Sequence, residues 1–297
     1  MDMNVLSLFD GMSCGRIALD RAGLNVGKYY ASELDKYAIT VTQANWPETV
    51  QLGDVTNWRE WRIDWSSIDL LIGGSPCQGF SFAGDQLAFD DPRSKLFFVY
   101  VDILKHIRTK NPEVRFMLEN VKMKKEYLDV ISRALEVEPI LINSALVSAQ
   151  TRHRYFWASW SIDQPEDKDV YLKDILQPEC EVDASMFYGQ KSIEYMKRGN
   201  EKWQQAGACR MDRYLQTTEK QKSFTLTANM HKGVPYNFCS FDQGGKPNYR
   251  KLTPIECERL QTVPDNYTNH VSNTQRYKML GNGWTVDVIA HIFRSIQ

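Results

Sequence analysis

The chain has 297 residues, with 36 Lys and Arg against 37 Asp and Glu and 42% hydrophobic residues, a length that suits one large α/β domain with a smaller companion. It contains no run of 18 apolar residues, no basic-then-apolar leader, no internal repeat and no low-complexity tail, which argues against a membrane-spanning helix and leads us to expect a cytoplasmic, self-contained protein with no membrane partner. Six cysteines (Cys14, Cys77, Cys180, Cys209, Cys239 and Cys257) form no C-x-x-C pair, so neither a metal site nor a disulfide framework is indicated, and a cysteine with a task is expected to be a nucleophile.

"NVLSLFDG" at 4–11 reads as a buried strand that breaks at Gly11, and "SCGRIALDRAG" as a helix closed by Gly23. "KYYASE" predicts a second strand, "DKYAITVTQANW" a second helix, and residues 50–54 a short third strand. "IDLLIGG" follows as a strand, "RSKLFFVYVDILKHI" as a helix and "FMLEN" as another strand. Short strands alternating with longer helices predict a doubly wound, mostly parallel sheet, in which ligands bind at the carboxyl ends of the strands. Asp10, Glu33, Asp54, Cys77 and Glu119 all fall at such ends.

Beyond about Trp160 the alternation weakens. Residues 187–251 hold twelve Lys and Arg against five Asp and Glu, a local +7 in a chain whose total is −1. Tyr188, Tyr195, Trp203, Tyr214, Phe224 and Tyr236 are interleaved with them. This composition suits a nucleic-acid surface, and equally a small solvated domain whose charge is incidental. At the far end, Val286, Ile289, Ala290 and Phe293 recur at helical spacing and predict an amphipathic terminal helix, with Asn282 and Trp284 at its start.

The turn "FDGMSCG" follows a strand and opens a helix, leaving backbone N–H groups to face a polar ligand. Glu33 ends the next strand, where a carboxylate can take ribose hydroxyls, and Asp54 ends the third. Together they suggest an adenosine-containing cofactor, either a dinucleotide or S-adenosylmethionine. In "GGSPCQGFS", Gly73 and Gly74 let the chain leave the sheet and Pro76 presents Cys77 at the cleft. "LENV" at 118–121 sets Glu119 on a neighbouring strand, with the amide of Asn120 placed to hold it. A nucleophile and an acid would face one another.

The motifs "LFDGMSCG", "GGSPCQGFS", "DPRSKLFF", "LENV", "AQTRHRYF", "RKLTPIECERLQ" and "LGNGWTVDVIAHIF", in this order, resemble those of the DNA (cytosine-5) methyltransferases, closest to the mammalian de novo branch and its bacterial and phage relatives. The resemblance implies a Rossmann-like class I methyltransferase fold with a small target-recognition domain. The implied boundaries are 1–165 for the catalytic domain, 166–277 for target recognition, and 278–297 for a terminal helix returning to the first domain. It implies methyl transfer from S-adenosylmethionine, without a metal, to carbon 5 of cytosine in double-stranded DNA. The implied bearer is a prokaryotic or viral enzyme, monomeric or not, of the restriction-modification kind.

By the same resemblance Cys77 adds to carbon 6, Glu119 contacts N3 and the exocyclic amine, and Arg152 and Arg154 hold the target base from one face of a strand. The loop from Gln78 to Asp91 resembles the mobile lid that closes over a flipped base. Phe9, Asp10, Gly11, Ser13, Gly15, Glu33, Leu34, Asp54, Val55, Leu96, Asn282 and Trp284 match cofactor contacts. Asp10, Ser13-Cys14 and Gly283-Trp284 depart from the commoner bacterial pattern. Two further readings stand beside this one: cytosine-5 methylation of transfer RNA, and a binding-only paralogue, which retention of both Cys77 and Glu119 disfavours.

Overall fold

The computed structural model describes residues 2–76, 95–205, 221–243 and 246–296. Cys77 and the lid segment 78–91 lie outside the described residues. By its contacts the chain divides into two units, one formed by 1–143, 153–165 and 286–297, the other by 144–152 and 166–285.

In the first unit the apolar runs form strands and helices in the predicted alternation: β1 (Met3–Leu8), α1 (Cys14–Arg21), β2 (Val26–Ser32), α2 (Lys36–Asn45), β3 (Val50–Gln51), β4 (Leu70–Gly74), α3 (Lys95–Arg108), β5 (Arg115–Val121), α4 (Lys125–Leu135), β6 (Ile140–Asn143) and β7 (His153–Ala158). The seven strands lie in the order β3-β2-β1-β4-β5-β7-β6. Strands β1 to β5 are parallel, whereas β7 runs antiparallel to both β5 and β6. The order reverses between β1 and β4, which makes a topological switch point where their carboxyl ends part. Leu8 and Gly73 are register partners at this place. A Cβ on Gly73 would lie 3.0 Å from the Leu8 carbonyl oxygen and 3.1 Å from the Tyr100 ring, so only glycine keeps the two ends this close.

Helix α3 fixes its side of the sheet by burying Phe97, Tyr100, Val101, Ile103, Leu104 and Ile107. The Tyr100 hydroxyl, fully buried, donates to the Met117 carbonyl at 3.1 Å. Segment 286–294 forms the predicted terminal helix and packs on α1, with Asp287 bonded to Arg21 at 2.8 Å and Phe293 beside Trp160.

The second unit carries α5 (Leu172–Ile175), α6 (Gln190–Gln205), the hairpin β8 (Cys239–Gln243) and β9 (Lys246–Arg250), α7 (Pro254–Leu260) and α8 (Asn273–Asn282). The terminal helix just described is α9 (Val286–Arg294). Thr253 and Glu256 form a reciprocal capping box at the start of α7, with Pro254 in its first turn. Glu256 also receives both guanidinium arms of buried Arg250, at 2.7 and 2.8 Å. The expected boundary at 277 moves to 285, because α8 packs on α7 and on the turn at Met230–Lys232, all within the second unit.

Candidate active site

The turn after β1 holds positive φ at three alternate residues, Phe9, Gly11 and Ser13 (φ 57°, 60° and 60°). No atom lies within 4 Å of a Cβ built on Gly11, so the turn is open on that side. Asp10 points the other way, into a nest of hydroxyls. Tyr29 of β2 donates to its Oδ1 at 2.7 Å, Ser13 donates to its Oδ2, and Ser7 donates as well. Ser13 in turn shares a bond with Thr42 of α2 at 2.9 Å. Burial pushes the Asp10 carboxyl up to about 6, aided by the charge of Glu33 and opposed by the three hydroxyls. Ser13 is fully buried, so its side chain braces Asp10 and does not face a ligand.

A carboxyl raised from 3.8 to about 6 favours the folded state below 3.8 and loses that contribution as pH rises through 6. Asp10→Asn removes the buried charge. Its stability relative to wild type, from urea unfolding, is expected to improve between pH 4 and pH 8 by on the order of 3 kcal/mol. A pH-independent difference would mean that Asp10 titrates normally.

At the end of β2, Glu33 accepts three backbone N–H groups, from Gly11 (2.7 Å), Leu34 (2.7 Å) and Asp35 (2.8 Å). The Gly11 N–H expected to face a ligand is therefore held by Glu33. These bonds use three of about four lone-pair positions on the carboxylate. Leu34 is 68% exposed beside it, an apolar surface on which a flat ring can rest. Asp54 caps the 3-10 helix at Val55–Glu60 by accepting the Thr56 N–H and hydroxyl at 2.8 Å, and Val55 is buried. Gly15 lies buried in α1, and Leu96 packs, partly exposed, against the core. An open turn, an exposed leucine and the strand-end acids Glu33 and Asp54 fit an adenosine-bearing cation.

On the other side of the switch point, Gly74 is the register partner of Glu119. The chain then runs through Ser75 and Pro76 towards Cys77. Asn120 donates to the Ser75 hydroxyl at 3.2 Å and to its carbonyl at 3.4 Å, so it anchors the start of this turn and does not hold Glu119. That task falls to Arg154 of β7, whose Nε lies 2.9 Å from Glu119 Oε1, while its Nη1 donates to the His153 carbonyl at 2.8 Å. The pair is largely withdrawn from water, the side chains being 17% and 11% exposed.

Arg152 does not share a strand face with Arg154, because β7 begins at His153. It is buried in the second unit and donates to the carbonyls of Leu226 (3.0 Å), Gly281 (3.2 Å) and Gly283 (2.9 Å). A guanidinium so enclosed acts as a structural clamp. Asn282 ends α8, and Trp284 lies in the link to α9, so neither starts the terminal helix. Unanticipated members of this clamp are Gln150 and Gln261, bonded to one another at 3.1 Å and to the carbonyls of Leu260 and Leu280. Both stand in quoted motifs, but no spacing rule couples positions more than a hundred residues apart.

Among the described residues no three or more His, Cys, Asp or Glu converge as a metal site, and no helix is long and apolar enough to cross a membrane. A family model for the C-5 cytosine-specific DNA methylase matches residues 3–297. The chain belongs to that family. This methylase is 31% identical over 311 residues to Type II methyltransferase M.NlaX of Neisseria lactamica, covering 99% of the chain and 96% of that relative. It is 28% identical over 318 residues to Type II methyltransferase M.HhaI of Haemophilus parahaemolyticus, covering 99% and 94%. Among solved structures, the Entamoeba histolytica methyltransferase EhMeth matches with a TM-score of 0.76 at 19% identity, covering 100% of this chain and 99% of that one. A Spodoptera frugiperda DNMT2 mutant matches with 0.70 at 19%, covering 99% of both. At these identities the structural likeness shows the fold. The methylase is thus a cytosine-5 methyltransferase by family, on a Rossmann-like sheet.

Proposed function

We propose that this methylase transfers a methyl group from S-adenosylmethionine to carbon 5 of cytosine in duplex DNA, through addition of Cys77 to carbon 6 of a base turned out of the helix. The observation that carries the reading is the Glu119–Arg154 pair, next in the sheet to the Gly74-Ser75-Pro76 segment that leads to Cys77. Carbon 5 of cytosine is a weak nucleophile until a thiolate adds at carbon 6 and pushes electrons toward N3, O2 and carbon 5. Glu119 meets the N3 edge and the exocyclic amine, and Arg154 meets the carbonyl oxygen, so charge developing on the ring finds fixed partners. Loss of the carbon 5 proton then expels the Cys77 thiolate. Turning the base out costs a few kcal/mol of stacking and pairing.

The cofactor, when bound, supplies an electrophilic methyl group on a sulfonium. Gly11, Glu33, Leu34, Asp54 and Leu96 would hold it at the strand ends, with Asp10 bracing the turn from behind.

Support for DNA as partner comes from the basic, aromatic stretch of the second unit. Lys232 Nζ lies 5.5 Å from the ring of Tyr236, which is 39% exposed. Not every cation of the stretch is available: Arg250 is held by Glu256, and Lys222 donates to the carbonyls of Ala145 and Ser148.

Cys77→Ala is expected to abolish methyl transfer while leaving cofactor and duplex binding near wild type, since only the covalent step is lost. Duplex DNA containing 5-fluorocytosine should trap the wild type covalently, because fluorine does not leave as a proton does. Methylation without trapping would overturn the addition mechanism, and transfer of label to transfer RNA in preference to duplex DNA would overturn the substrate.

A further inference from the structure

The strand ends that carry Glu119 and Arg154 carry a second set of charges, which the chemistry above does not use. Val121 and Arg154 are register partners in the antiparallel pair β5–β7. Lys122, one residue past Val121, therefore stands across from His153, one residue before Arg154. Alternation along a strand puts Glu119 and Arg154 on one face and Lys122 and His153 on the other. Both Lys122 and His153 are exposed. Lys124 and Lys125 follow immediately, also exposed. Of these, Lys124 lies 3.8 Å from Glu126, a solvent-facing pair of little weight.

We propose that Lys122 and His153 form a seat for a DNA phosphate on the first unit, about three nucleotides along the strand from the one whose base meets Glu119. The inference rests on the reading of duplex DNA as substrate. Three residues separate Glu119 from Lys122, about 10 Å along a strand. With one phosphate of a DNA strand every ~3.4 Å of helix axis, that distance spans about three phosphates.

The groups facing the His153 ring bear out the need for an anion. Just past the end of β5 comes the ammonium of Lys122, and from β6 the register partner Asn143, which is uncharged, while the charge of Arg154 acts from the opposite face of β7. Partial burial, then Lys122, then Arg154 hold the imidazole below its ordinary value, which favours its neutral form in the free protein. A phosphate seated between the cations reverses the sign of that field. The imidazole then takes up a proton, and its N–H joins the ammonium as a second charged donor. Binding becomes linked to pH, with affinity rising as pH falls from 8 to 6.

The test uses a labelled duplex spanning a cytosine that the full-length wild type methylates, with affinity measured at pH 6 and pH 8 over a range of salt. Lys122→Ala is expected to flatten the slope of log affinity against log salt by roughly 0.9, one phosphate contact. His153→Gln is expected to remove the gain in affinity between pH 8 and pH 6. The imidazole resonance that His153→Gln deletes should shift its titration midpoint upward by roughly one pH unit when the duplex is added. An unchanged slope in Lys122→Ala, or a midpoint that DNA does not move, overturns the seat while leaving the substrate reading intact. A wild type that methylates no duplex overturns both.

Discussion

Arg154→Met is expected to lower kcat for methyl transfer by roughly 10²–10³-fold, the loss typical of removing one fixed donor from developing charge. KM for DNA should move far less, because the interaction grows only as the cytosine ring gains electrons. The guanidinium is held at two points, Glu119 at 2.9 Å and the His153 carbonyl at 2.8 Å, so its planar fork is already aimed before substrate arrives. Arg154→Lys should recover little of the rate, since an ammonium cannot reproduce that fork. Glu119→Gln should lower kcat comparably, and the double variant should be little worse than either single one, as for residues that act as a unit. Single-turnover rates for the three variants check this. Additive losses would mean that the two side chains work separately.

Gly281→Ala is expected to destabilise the second unit by roughly 3 kcal/mol or more, lowering its Tm by about 10 °C. Its Cβ would stand 2.1 Å from the Thr227 carbonyl carbon, 2.3 Å from the oxygen and 2.4 Å from the Ala228 nitrogen. These are backbone atoms and cannot swing aside as a flexible side chain does. Relief would require α8 to back away from residues 227–228, and the Gly281 carbonyl would then leave Arg152. Gly189→Ala is the control, since nothing lies within 4 Å of that Cβ. Equal melting temperatures for the two variants would show that the contact yields at no cost.

The first unit was legible because its strands are short apolar runs and its helices carry stripes, and these two periods are local properties of the chain. What escaped is what folding brings from elsewhere. Asn120 follows Glu119 directly, and for that reason cannot hold it: neighbours on a strand point to opposite faces, so Asn120 reaches Ser75 and Glu119 reaches Arg154. Arg152 and Arg154 have the spacing of one strand face, but β7 starts between them. Asp10 could be placed at a strand end, whereas its partners Tyr29 and Ser13, with Thr42 behind, come from three elements whose adjacency is a property of the sheet order. The apolar stripe predicts the terminal helix, while no local signal marks the break at 283–285.

Packing of α9 against α1 closes the first unit with residues 286–294, made after the 120 residues of 166–285. On a ribosome adding about 5–20 residues each second, that interval is on the order of ten seconds. Throughout it, the buried Val286, Ile289 and Phe293 are not yet there to cover the hydrophobic flank of α1. The second unit can thus mature while the first still waits for its last helix. A ribosome stalled before codon 286 would hold a chain whose α1 flank is uncovered, open to chaperones and proteases on the side where α9 belongs.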